Sequence, residues 1–264
     1  MRGDWFDQRV TMSSKKKCSA CHGDEPLGFE FDMAFQPIVD ALRERVWGYE
    51  ALVRGVNGDS AASVLSRVTA ENRYKFDQAC RVKAIERAAE RFDRDDLKLS
   101  INFMPNAVYE PSACIRATLD AARKADFDHS RVMFEFTEAE PFRDVDHIGR
   151  IIKAYREFGF ITALDDFGAG YAGLGLLARF QPDLIKIDME LLRGVDASKS
   201  RQAILWGVTS IAKELGVQLL AEGVETEAEF NALARMGIRL FQGYYFGRPE
   251  IGPVRSDTVL LEAV

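Results

Sequence analysis

The chain has 264 residues, 35 Lys plus Arg against 41 Asp plus Glu, a formal net charge of −6, and 47% hydrophobic against 29% charged residues. That balance excludes a disordered chain, and no apolar run reaches the roughly 18–20 residues that a membrane helix needs. An acidic chain is a poor partner for duplex nucleic acid, and the opening MRGDWFDQRV holds no apolar secretory segment, so a cytoplasmic protein without membrane insertion is expected.

The head of the chain, residues 1–28, reads as an extension outside the main fold. It contains Lys15-Lys16-Lys17 and the run Cys18-Ser-Ala-Cys21-His22. That run matches a haem-attachment pattern, but haem attachment of this kind requires export. A zinc site would need two more ligands, and Cys80 and Cys114 are not paired in sequence. An incidental role, an intermolecular metal contact and a redox role stay open for this head. The three histidines, His22, His129 and His147, have no ligand spacing among them, which argues against a histidine-rich zinc or iron centre. Any metal would have to be held by carboxylates and amides, as hard cations such as magnesium, manganese or calcium are.

From Phe29 onward short apolar runs alternate with amphipathic stretches. Strands are expected at 31–38, 45–53, 97–103, 131–137, 160–165, 183–188, 217–221 and 238–242. Helical patterns lie near 61–69, 75–92, 111–124, 145–158, 171–179, 199–215 and 226–236. Gly159, Gly216 and Gly237 stand between a helix and the next strand, where a left-handed cap belongs. Eight strands alternating with helices predict a closed (β/α)8 TIM-type barrel over residues 29–254, with 255–264 as a tail. An open doubly wound sheet is the runner-up, but no glycine-rich dinucleotide loop follows an early strand. Only a short polar turn, Asp40 to Glu44, separates the first two strands, so one strand near the start is expected to run antiparallel.

The ends of these strands carry the chemistry. In order they deliver Glu50, Asn102, Glu135, Asp165-Asp166, Lys186, Glu222 and Gln242. In a barrel such positions converge on one face, where active sites lie. Buried ionised groups cost several kcal/mol unless paired or metal-bound. Five carboxylates in one small volume repel, so some must protonate or bind cations. Two divalent ions would neutralise most of the excess, and Asp165-Asp166 suits a bridge between them, a pattern typical of phosphodiester hydrolysis. Local alternatives are a Lys186–Asp188 pair and a Glu222–Arg248 pair.

Gln36-Pro37-Ile38, Glu50-Ala51-Leu52, Asn102, Glu135-Phe136-Thr137-Glu138, Asp165-Asp166-Phe167-Gly168, Lys186-Ile187-Asp188, Glu222-Gly223-Val224-Glu225 and Gln242-Gly243-Tyr244 occur in this order. Together they closely resemble the EAL-domain family of cyclic di-GMP phosphodiesterases, over about residues 29–254. The resemblance implies a (β/α)8 barrel with one reversed strand. It implies hydrolysis of cyclic di-GMP to linear pGpG with two Mg2+ or Mn2+ ions, and inhibition by Ca2+. Glu50, Asn102, Glu135 and Asp165 would hold one metal. Asp165 and Asp166 would hold the other, with Glu222 as a ligand or water-binding group. Lys186 would contact the attacking water, and Glu138 would buttress the loop after Asp166. Arg54 would meet a substrate phosphate, Gln36 and Arg248-Pro249 a guanine, and Gln242 the rim; Leu52 and Asp188 complete the implied substrate contacts. A homodimer is implied through the helix beside the loop, with Leu174, Leu176 and Leu177 as compatible residues. Ala169, Ala172 and Gly173 stand where the family more often has Thr and Ser-Ser, which bears on loop rigidity and turnover rather than on the ligands. No Gly-Gly-Asp-Glu-Phe cyclase motif is present, so regulation is expected from residues 1–28, from dimerisation or from a partner protein. The competing reading is a catalytically weak cyclic di-GMP receptor that signals through a protein partner.

Overall fold

The computed structural model describes residues 27–105, 108, 110–137, 145–170 and 173–254. The cysteine-containing head, Glu138 and the tail therefore lie outside the described residues. The chain enters through β1 (Asp32–Asp40) and turns into β2 (Arg45–Arg54). There follow α1 (Ala61–Leu65), α2 (Arg73–Arg91), β3 (Lys98–Asn102), α3 (Pro111–Cys114), α4 (Arg116–Lys124), β4 (Val132–Thr137), α5 (Val145–Glu157) and β5 (Ile161–Phe167). The second half runs α6 (Gly173–Leu177), β6 (Leu184–Ile187), α7 (Met189–Leu192), α8 (Lys199–Leu215), β7 (Gln218–Ala221), α9 (Glu227–Arg235) and β8 (Leu240–Gln242).

The strands close into a barrel in chain order, β1 to β8. β1 is antiparallel to both β2 and β8, and the other neighbours are parallel. The expected reversed strand is thus β1, placed by the tight Asp40 to Glu44 turn. Gly159, Gly216 and Gly237 take the left-handed conformation expected of them, with φ of 86°, 68° and 89°. Three helices differ from expectation. The helix near 61–69 stops at Leu65, because the Asn72 side chain takes over the following turn: its Oδ1 accepts from Thr69 N and its Nδ2 donates to Arg67 O. The segment 111–124 is interrupted at Ile115, and the helix expected to reach 179 ends at Leu177. In this last helix Leu176 and Leu177 are buried and only Leu174 is exposed, so two of the three leucines serve the fold. The exposed apolar residues on the outer side of the domain include Ile204, Ile211 and Leu215, which recur at helical spacing along α8.

Strand alternation organises the interior in layers. Ile38, Met133, Ala163, Leu184, Leu220 and Leu240 pack together as an apolar floor inside the barrel. Two residues further toward the mouth, on the same strand faces, stand Gln36, Glu135, Asp165, Lys186, Glu222 and Gln242. In β1 the step runs backwards, from Ile38 to Gln36, because the strand is reversed. The intervening residues, such as Phe134, Phe136, Leu164 and Ile185, point outward into the shell shared with the helices. Two glycines let loops at the mouth approach closely. A Cβ on Gly243 would lie 2.0 Å from Val224 O, and one on Gly223, whose φ is 64°, would lie 2.5 Å from Met189 Cβ.

At the opposite end, the buried Asp40 ties the end of β1 to the start of β8. Its carboxylate accepts from Arg239 Nε at 2.9 Å, from Leu42 N at 3.1 Å and from Arg43 N at 3.2 Å. Burial raises the Asp40 carboxyl, but the bonds from Arg239 and Arg43 outweigh it and hold it below the usual carboxylate range. A carboxyl lowered by folding stabilises above its unfolded pKa, and that stabilisation is lost as pH falls through the folded one. Asp40→Asn is therefore expected to cost about 1–3 kcal/mol near neutral pH. In urea unfolding, its deficit against the parent protein should shrink steadily as the pH is taken below the carboxylate range.

Candidate active site

The strand ends bring Glu50 (β2), Asn102 (β3), Glu135 (β4), Asp165 and Asp166 (β5), Lys186 (β6), Glu222 (after β7) and Gln242 (β8) to the mouth. Lys186 is the centre of the group and is 1% exposed. Its Nζ lies 2.7 Å from Glu135 Oε2, 3.2 Å from Asp165 Oδ1 and 3.5 Å from Glu50 Oε2, and it also pairs with Glu222 Oε1. The alternative partner Asp188 is elsewhere: it caps α7 by accepting from Glu190 N at 2.7 Å. Arg248 does not reach Glu222; its guanidinium carbon sits 4.0 Å from the centroid of the Tyr244 ring.

A second chain of contacts runs round the reversed strand. Asn102 Nδ2 donates to Glu50 Oε1 at 2.7 Å, and Gln242 Nε2 donates to Glu50 Oε2 at 2.7 Å and to Gln36 Oε1 at 3.2 Å. Gln36 Nε2 donates in turn to Gly247 O at 3.1 Å. Gln242 is 4% exposed, and its Oε1 has no hydrogen-bond partner among the described residues. Such a buried acceptor has capacity left for a donor on a ligand or water. Two further residues support the carboxylates. Ser100 donates its hydroxyl to Glu135 Oε1, and Thr137 donates its hydroxyl to Asp166 Oδ2 at 2.7 Å. Ser100 is not among the site residues expected from sequence, although it lies two residues before Asn102 and so shares its strand face.

The electrostatics show a deficit of positive charge. Burial, then Glu50, push the Glu135 carboxyl well above the usual carboxylate range despite Lys186. Burial likewise pushes Glu222 well up, with Lys186 opposing it and Asp165, Glu50 and Glu135 reinforcing it. Asp166 is raised by burial and by Asp165, against the hydroxyl of Thr137. Burial alone would lower Lys186, but the carboxylates of Asp165, Glu135, Glu222 and Glu50 more than offset it and hold its ammonium well above the ordinary value. Asp165, Asp166 and Glu222 each offer an oxygen within 4.8 Å of the others. This all-oxygen donor set, with more carboxylates than one lysine can balance, fits a hard divalent cation. Asp166 is held in place with a φ of 55°, and its N–H donates to Asp165 Oδ1 at 3.0 Å. That backbone turn lets two consecutive carboxylates face one volume, which an extended strand would send to opposite faces.

The remaining expected substrate residues line the rim less tightly. Leu52 and Arg54 are half-buried at the end of β2, where Arg54 Nη1 donates to Val53 O at 2.7 Å. Arg248 is exposed and Pro249 half-buried in the segment after β8. Asp188 is half-buried at the end of β6, in its capping role.

The EAL domain profile matches residues 27–249. The blue light- and temperature-regulated antirepressor BluF of Escherichia coli K12 is 33% identical over 248 residues, which is 94% of this chain and 60% of that protein. The cyclic di-GMP phosphodiesterase PA2567 of Pseudomonas aeruginosa is 30% identical over 233 residues, 86% of this chain and 40% of that protein. The chain thus spans about half the length of these relatives. Among solved structures, a standalone versatile EAL protein from Vibrio cholerae O395 in its c-di-GMP-bound form superposes with a TM-score of 0.85 and 51% identity, over 90% of this chain and all of that one. BlrP1 of Klebsiella pneumoniae, in a manganese and cyclic di-GMP complex at pH 6, gives 0.80 and 38% identity over 87% of this chain and 58% of that one. A calcium and cyclic di-GMP complex of BlrP1 is similar too, at 0.79 and 37% identity over 88% of this chain and 59% of that one. With a profile match across most of its length and its motifs gathered at one barrel mouth, the chain belongs to the EAL domain family.

Proposed function

We propose that this chain hydrolyses cyclic di-GMP to linear pGpG with two Mg2+ or Mn2+ ions. The observation that carries this reading is the charge imbalance at the mouth, where five carboxylates face the single ammonium of Lys186. Two divalent ions match the four negative charges left over. Glu50, Asn102, Glu135 and Asp165 would hold one ion, and Asp165, Asp166 and Glu222 the other. Bound there, the ions would acidify a water and neutralise charge on the phosphate. The chain's own groups do the rest. Lys186 pairs with both Asp165 and Glu222 and would orient a water beside them. Gln242 presents its unpartnered amide oxygen, and Ser100 and Thr137 fix the carboxylates they donate to. Arg54 offers a charge to a phosphate, and Gln36, Leu52, Asp188, Arg248 and Pro249 border the bases. Glu138 keeps the supporting role implied by the motif. The protein would act in the cytoplasm, and no described helix is long and apolar enough to cross a membrane.

A receptor that binds cyclic di-GMP and signals through a protein partner, with residues 1–28 as a possible contact, is the second reading. It is favoured by a relative that is an antirepressor and by the departures at Ala169, Ala172 and Gly173. The two separate on one assay. Purified protein with Mg2+ or Mn2+ is expected to convert cyclic di-GMP to a linear dinucleotide on chromatography, and Ca2+ to suppress turnover without abolishing binding. Asp165→Ala and Glu50→Ala should each lower kcat by roughly 100-fold or more. Binding with no product under any of these ions would leave the receptor reading standing instead. We further propose a homodimer through the helix beside the loop, supported there by the exposed apolar Leu174. Light scattering should then report twice the chain mass, and Leu174→Asp should reduce it to one.

A further inference from the structure

One buried charge pair outside the mouth has no part in the chemistry above. Asp77 and Arg81 stand one turn apart on α2, 4% and 1% exposed, and form an ion pair. The guanidinium carbon of Arg81 lies 5.7 Å from the ring centroids of both Phe103 and Phe134, and its Nη1 donates to the Tyr155 hydroxyl at 3.3 Å. Burial pushes the Tyr155 hydroxyl up to about 12, so it is neutral and able to accept from Arg81. The other oxygen of Asp77, Oδ1, accepts from the backbone N–H of Met104 at 3.0 Å.

As a stabilising device this arrangement is poor. A buried ion pair is often matched or bettered by apolar side chains of similar volume. Arg81 Nε is buried and has no hydrogen-bond partner among the described residues, which adds to the cost. What apolar side chains could not do is accept the Met104 N–H. That N–H lies two residues beyond Asn102, in the segment leaving β3. The residue between, Phe103, is fastened by its own N–H to Glu135 O at 3.0 Å, and its ring packs against Phe134, Phe136 and Tyr155. The backbone after Asn102 is therefore gripped from β4 on one side and from α2 on the other. Asn102 is exposed at the mouth and reaches Glu50, so its direction depends on this grip.

We infer that Asp77, aligned by Arg81, is a positioning residue that fixes the backbone after Asn102 and so aims the Asn102 amide at the cation site. This rests on the proposed reading of Asn102 as a metal ligand. Outer partners of metal ligands typically shift metal affinity 10–100-fold. The test compares Asp77→Leu/Arg81→Met with Asp77→Asn/Arg81→Met. Both remove the buried charges, and only the second keeps an oxygen for the Met104 N–H. Mn2+ binding to the whole chain is measured by titration calorimetry, and folding by urea denaturation. The Leu/Met protein is expected to fold and to bind Mn2+ about 10-fold more weakly, and the Asn/Met protein to recover most of that loss. Equal Mn2+ affinity in folded Leu/Met protein and parent overturns the inference, as does equal loss in the two double variants. Tyr155→Phe, which keeps both charges and loses one bond to Arg81, guards against misfolding. It should weaken Mn2+ binding about two- to threefold, below the range for a partner bonded directly. An unchanged affinity there, with neither double variant folding, also overturns the inference. If the parent chain itself binds no Mn2+, the metal reading fails first, and that result is distinct from the others.

Discussion

A fully buried ammonium inside a closed barrel constrains everything around it. Lys186 stands one layer above the apolar floor and is sealed from bulk solvent, so partners for its charge must come from the strands. They do, from β2, β4, β5 and the end of β7. The same closure brings more carboxylates than one lysine balances. In a low-dielectric interior that surplus is met either by protons or by cations. The upward shifts at Glu135, Glu222 and Asp166 are the protonic answer of the protein alone. A divalent ion is the answer that leaves the carboxylates ionised.

Exposure is graded across the site in a way that suits this. Glu135 and Lys186 are sealed, whereas the Glu222 side chain keeps 16% exposure and Asn102 is open. The dry side sets charge and orientation, and the wet side is where an ion and a phosphate would arrive. The reversed β1 contributes to the dry side. Because it runs antiparallel, Gln36 lies above the floor residue Ile38 and meets Gln242, which ties the last strand to Glu50 on the second. The barrel seam between β8 and β1 is thus also part of the site.

Support for the mouth extends outward through backbone groups. Thr137 holds Asp166, Ser100 holds Glu135, and close approaches of Gly223 to Met189 and of Gly243 to Val224 bring the segments after β6, β7 and β8 together. Asp77 reaches in from α2 to the chain leaving β3. None of these groups needs to touch a substrate to matter, because a ligand misdirected by a fraction of an ångström loses much of its affinity.

The barrel, and the gathering of polar strand ends at its mouth, are largely readable from periodicity. Strand alternation and glycine caps repeat along the chain, and each polar strand end stands out against an apolar run, as Glu135 does between Phe134 and Phe136. Such signals are local, so one dimension suffices to carry them. Pairing is not local. Lys186 can also be read as a partner of Asp188, two residues away, until closure sets it among four distant carboxylates and leaves Asp188 to cap α7. In sequence Leu176 and Leu177 suit a subunit contact and a place against the barrel equally well, until the shell buries them. The Asn72 turn that ends α1 and the Asp77 contact with Met104 depend on side-chain bonds across bends in the chain. Residue type and order dictated which groups exist and which face each takes. Distance between those groups came from the closing of the sheet, because hydrogen bonding of β8 to β1 is what turns a row of strand ends into a ring.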